Sequence, residues 1–89
     1  MSSITNRITT GDYKNSDIIL KGVNAEEPVL VCKGFLSRKE ILMDKTTIKA
    51  VRHSFLSATE HEIIIEWKDG KLSQAVTDDA VYVAISAKI

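Results

Sequence analysis

Eighty-nine residues suit one domain with a single core, which at this size buries little surface per residue. Hydrophobic residues make up 44% of the chain, which excludes disorder over most of its length. Twelve basic side chains balance twelve acidic ones, excluding a global field that would draw the protein to nucleic acid or anionic lipid. Cys32 is the only cysteine, which excludes an internal disulfide or a cysteine-type zinc site within one chain.

The opening MSSITNRITTG has no apolar core and is not read as a signal peptide. No window reaches membrane-spanning length, so the expected compartment is the cytoplasm. Residues 1–10, rich in Ser, Thr and Asn with isolated Ile4 and Ile8, read as a loose tail or a weak edge strand before a single domain over 11–89. TTGDYKNSD is a turn cluster, SDIILKGV (Ser16 to Val23) a short strand, and NAEEP a second turn, since Pro28 tolerates only the start of a strand. VLVCKGF is a β-branched strand in which Gly34 marks the end or a bulge and Cys32 reads as a small buried hydrophobe. RKEILMD makes another strand, and DKTT turns the chain. In IKAVRHSFL, Val51, His53 and Phe55 alternate with Arg52, Ser54 and Leu56, which predicts a strand.

HEIIIEWKDGKLSQAV (His61 to Val76) predicts a hairpin. Ile63, Ile65 and Trp67 share one face of its first strand, and Glu62, Ile64, Glu66 and Lys68 the other. Asp69-Gly70 suits a two-residue type I′ turn. That turn would set Lys68 opposite Lys71, Trp67 opposite Leu72 and Ile63 opposite Val76. Trp67 reads as core or as the rim of a barrel end.

TDDAVYVAISAKI fits two patterns. Val81, Val83, Ile85, Ala87 and Ile89 alternate as a strand would. Against that, Thr77 or Asp78 can cap a helix, Asp78 and Asp79 suit the positive end of its dipole, Lys88 suits the other end, and the alanines favour helix. The reading adopted is a helix with Val81, Ala84 and Ile85 facing inward, joined by Tyr82 and Ile89.

Short antiparallel strands followed by one terminal helix, which can plug the open end of a curved sheet, resemble the pleckstrin-homology-like barrel, in particular the short bacterial proteins of that type. The similar segments are GFLSRKEILMD, TTIKAV with its Ile48-x-x-Val51 step, IIIEWKDGKLSQAV and DDAVYVAI, from Lys33 to Ile89, about two-thirds of the chain. TTGDYKNSDIIL also looks like the first strand of small Gram-positive proteins of this sort. The fold class expected is therefore mainly β: a small antiparallel PH-like barrel or sandwich closed by one C-terminal helix. The resemblance implies a binding or assembly module, since such barrels bind lipid head groups, peptides or other proteins, and some self-associate. Head-group binding in the family relies on a basic loop after the first strand. Here that loop is GVNAEEP, which is acidic and counts against phosphoinositides.

No catalytic constellation emerges from spacing. His53 and His61 fit no H-x-E or H-E-x-x-H zinc pattern, and His61 cannot converge with Glu60 and Glu62 because adjacent strand residues point to opposite faces. Glu26-Glu27 sits in a turn, and Asp78-Asp79 is explained by capping. The four glycines are scattered, and the aromatic residues are not interleaved with a basic run, so neither a phosphate loop nor a base-stacking platform is expected. The expectation is a non-enzymatic module for protein–protein interaction or self-association, such as a small bacterial or phage accessory protein, with no cofactor and no metal. Its candidate partner-binding residues are Lys33, Phe35, Arg38 and Lys39, together with exposed strand edges; Phe35 reads either as an exposed anchor or as a core residue at a strand end. The alternative is a domain that binds nucleic acid or lipid head groups through a local basic patch.

Overall fold

The apolar runs before Asp79 become strands of a single antiparallel sheet, and the last one, AVYVAI, becomes a helix. The structure, a computed structural model, describes residues 5–34 and 36–89. In chain order the elements are β1 (Arg7–Gly11), β2 (Asp17–Lys21), β3 (Glu27–Lys33), β4 (Arg38–Leu42), β5 (Ile48–Phe55), β6 (Glu60–Trp67), β7 (Leu72–Asp78) and α1 (Asp79–Lys88). The sheet runs β4-β3-β2-β1-β7-β6-β5 and curls into a half-barrel with α1 against it. The mainly β fold with one C-terminal helix is as expected. β4 and β5 stand at the two edges and are not paired with each other among the described residues.

The weak edge strand foreseen near the N-terminus is corrected. β1 lies at the centre of the sheet, between β2 and β7, and brings Arg7–Gly11 into the domain. The part of that expectation concerning Met1 to Ile4 lies outside the described residues. One apolar side chain is enough to place β1, because Ile8 is completely buried opposite Ala75. Its polar neighbours are satisfied within the sheet: Thr9 Oγ1–H donates to the Gln74 carbonyl at 3.1 Å, and Arg7 pairs with Asp17 at 2.8 Å. Ser, Thr and Asn composition thus disguises a central strand.

The core gathers on the concave face, with Ile18, Leu30, Ile48, Ile63, Ile65 and Ile85 among its members. Alternation along β6 holds as read, with Ile63, Ile65 and Trp67 buried and Ile64 exposed. The hairpin register is corrected. Glu66 faces Leu72 and Ile63 faces Ala75, one residue away from the expected pairs. Trp67 N–H donates to the Lys71 carbonyl at 2.9 Å and Gly70 N–H to the Trp67 carbonyl at 3.1 Å. Lys68, Asp69 and Gly70 therefore form a three-residue loop. Gly70 takes positive φ (91°) and Asp69 does not, which fits a bulged three-residue connection and not a type I′ turn.

The physical reason lies in the tryptophan. A buried indole N–H needs an acceptor, and the expected register would have offered it Leu72. The observed register turns Ser73 inward, and Trp67 Nε1–H donates to Ser73 Oγ at 2.8 Å. Ser73 Oγ–H in turn donates to the Asp12 carbonyl at 2.6 Å, tying the β1–β2 turn to the same point.

α1 forms as the capping residues suggest. Asp78 is the N-cap, its carboxylate accepting from Val81 N–H at 2.9 Å, and Lys88 lies in the last turn. Val81, Ala84 and Ile85 are buried and Tyr82 half-buried, but Ile89 lies exposed beyond the last turn instead of joining the stripe. The helix packs on β2, β3, β6 and β7.

Two glycines separate backbone strain from steric fit. Gly70 has space around it, since a Cβ there would meet nothing within 4 Å. Gly11, at φ 85°, would put a Cβ 2.4 Å from the Leu72 carbonyl oxygen in the β1–β7 seam. Gly70→Ala is expected to cost about 1–2 kcal/mol from the left-handed conformation alone. Gly11→Ala should cost more, because the seam must also shift. Urea midpoints of the two variants test this, and an equal or reversed order contradicts it.

Candidate functional site

The antiparallel pairing of β5 with β6 sets Phe55 opposite His61 and His53 opposite Ile63, so His53, Phe55 and His61 share the concave face. β7 then pairs His61 with Thr77 and Glu60 with Asp78, and α1 starts immediately afterwards. That short path from sheet to helix brings Asp79 and Tyr82 over the histidines.

The result is a hydrogen-bonded chain of three ionisable side chains. His61 is only 2% exposed. Its Nε2 lies 3.0 Å from Asp79 Oδ1, and its Nδ1 lies 2.6 Å from His53 Nε2. A carboxylate only accepts, so His61 Nε2 carries the proton; the Nδ1 of neutral His61 then accepts from His53 Nε2–H. Tyr82 stacks on both imidazoles, 4.0 Å from His53 at 19° and 4.7 Å from His61 at 16°. Phe55 meets His53 edge-on at 4.6 Å. The buried Thr77 Oγ1, next to His61 across the ladder, has no hydrogen-bond partner among the described residues.

The Asp79 side chain is 71% exposed, so the chain leads from solvent through a buried imidazole to the half-buried His53. Such an arrangement can hold or pass a proton between its ends. It does not suit a metal. Asp79 and His53 engage opposite nitrogens of His61 and cannot converge on one ion, and no group of three metal-ligating side chains occurs among the described residues.

Sequence reasoning compared each histidine with its chain neighbours and missed this pair. The available signal was parity: His53 shares the apolar face of Val51 and Phe55, and His61 that of Ile63 and Ile65, on strands joined by a short loop. Asp78-Asp79 also divides its labour, with Asp78 capping the helix and Asp79 bonding His61.

The four residues foreseen for partner binding do not make one face. Lys33 and Arg38 pair across the β3–β4 hairpin. Lys39 pairs with Cys32 one position on, which directs it to the opposite, concave side. Phe35 lies outside the described residues. Arg38 is also engaged, with its guanidinium 3.3 Å from Glu40. Lys21 reaches across β3 from β2 to the same Glu40 carboxylate. Val29 and Val31 on β3, opposite Leu42 and Glu40, are buried. Cys32 is half-buried against the core.

No protein-family model matches the chain, and neither a curated protein nor a solved structure matches it. No helix among the described residues is long and apolar enough to cross a membrane.

Two outcomes follow from these contacts. His53→Phe keeps a ring against Tyr82 but removes the donor to buried His61 Nδ1, and is expected to cost about 1–3 kcal/mol by urea denaturation. An unchanged midpoint would mean that the His53–His61 contact carries no weight. The hydrogen bond from Lys21 holds the Glu40 carboxyl below the usual glutamate range, helped by the charge of Arg38. With the folded value depressed, the stabilisation is present above the usual range and lost as pH falls through the folded value. NMR titration should place Glu40 low, and Lys21→Met should move it up; no movement refutes the assigned cause.

Proposed function

We propose that this domain is a non-enzymatic binding or assembly module that takes up a strand from a protein partner, or from a second copy of itself, along β5. The observation that carries this reading is the unequal guarding of the two sheet edges. β4 has five residues and places Arg38, Lys39 and Glu40 in succession, the pattern by which natural sheets blunt an open edge. β5 has eight residues and only Lys49 and Arg52 as full charges, and Lys49 lies 3.9 Å from Glu66 within the same sheet. The β5 edge ends in Phe55, 74% exposed, and Leu56, 52% exposed, which would give an added strand an apolar anchor. Strand addition draws affinity from main-chain hydrogen bonds and specificity from alternate side chains, and needs no concentrated charge. A basic-patch reading has less support, because Lys33 and Lys39 lie on opposite faces and Arg38 is paired.

The test adds guards to β5 without disturbing the fold. Ala50 and Ser54 are exposed and sit opposite Glu66 and Glu62, so lysines at both positions gain cross-strand partners. The parent is expected to self-associate in native mass spectrometry, or to retain a partner when purified from its source cell. Ala50→Lys/Ser54→Lys should abolish that association with the melting temperature kept or raised. A parent that is monomeric and retains nothing, or a variant that associates as before, counts against β5.

A further inference from the structure

The half-barrel is covered unevenly. α1 packs over β2, β3, β6 and β7, whereas a groove of ≈ 450 Å³ lies open between β4 and the tip of the β6–β7 hairpin. Tyr13, Ile41 and Trp67 give it an apolar and aromatic floor, and Lys39 and Lys68 also line it. Its two carboxylates are already engaged. Glu40 is held by Lys21 and Arg38, and Asp69 lies 3.6 Å from Lys71 Nζ and accepts from Lys71 N–H at 3.1 Å. Neither Lys39 nor Lys68 forms an ion pair among the described residues. The groove therefore presents two uncommitted ammonium groups above an apolar surface.

Tyr13 is held in place by the β1–β2 turn. Its backbone is left-handed, at φ 63°, as is that of Asn15 in the same turn, and its carbonyl accepts from Ser16 N–H at 3.0 Å. Its ring is fixed from two sides, edge-on to Trp67 with centroids 5.2 Å apart and with Lys71 Nζ 5.0 Å over its face. The volume falls in the range of small-molecule sites, which favour the mouths of barrels and combine an apolar lining with a few polar groups.

We propose that this groove binds a small amphipathic organic anion. Its apolar body lies against Tyr13, Ile41 and Trp67, and its acidic group is held by Lys39 and Lys68. The site adjoins the start of β5 through Thr46 and Thr47, at the opposite end of that strand from Phe55 and Leu56, and does not depend on the assembly reading.

The test uses 1-anilinonaphthalene-8-sulfonate as the anionic probe and N-phenyl-1-naphthylamine as its uncharged counterpart. Trp67, the only tryptophan, reports binding by quenching. The sulfonate should bind saturably, one per chain, quench Trp67 and weaken as salt is raised. Lys39→Gln/Lys68→Gln should reduce its affinity by about tenfold or more while leaving the uncharged probe and the melting temperature unchanged. No saturable binding, no quenching of Trp67, salt-independent binding by the parent, or a double variant that keeps sulfonate affinity or loses both probes equally, overturns the proposal. The salt series on the unmodified protein decides the charge dependence even if the double variant fails to fold.

Discussion

The indole N–H of Trp67 is buried and has to find an acceptor inside the sheet, and Ser73 supplies it. That single hydrogen bond belongs with the register that turns Ser73, Ala75 and Thr77 toward the core and sends Leu72 and Gln74 outward. Small inward side chains on β7 leave space over the sheet for α1. The helix then begins where β7 ends, and its first turn carries Asp79 and Tyr82 onto the two histidines. The onward bond from Ser73 to the Asp12 carbonyl fixes the β1–β2 turn beside the tryptophan, where Tyr13 completes the aromatic floor of the groove. A one-residue slip would exchange Ser73 for Leu72 and disturb all of these arrangements together.

The elements were legible where the chain announces them by period and by end signals. Alternation in Ile48–Phe55 and Glu60–Trp67 gave strands, and Asp78 with Lys88 marked a helix against a competing alternation. The central placement of β1 was hidden because its strand character rests on Ile8 alone, with threonines bonded to a partner more than sixty positions away. Hairpin register was hidden because Asp-Gly serves two loop lengths, and the choice between them is made by a polar atom on a side chain that reads as purely apolar.

The candidate site was the least visible part. Each histidine is ordinary beside its neighbours in sequence, and only strand pairing sets His53 and His61 in contact. Charges were easier to find than to place. Lys33, Arg38 and Lys39 are close in sequence, yet strand geometry sends Lys39 to the groove and leaves Arg38 in an ion pair with Glu40. The structure thus offers two surfaces of different character, a long and lightly charged strand edge and a groove in which Lys39 and Lys68 stand beside Tyr13, Ile41 and Trp67.

The strand order also governs how the chain reaches its native state. β2, β3 and β4 follow β1 by short connections, and β5, β6 and β7 form a second meander, so each half can begin to assemble from local contacts. The halves become one sheet only along the β1–β7 seam, where Arg7 meets Val76 and Gly11 meets Ser73. Loop closure over so much of the sequence is an entropic cost met before the seam's contacts reward it, which slows folding relative to a helical domain of equal size. Until the seam closes, β1 and β7 stand as two further open edges, so the half-assembled chain is the species most exposed to pairing with a neighbour.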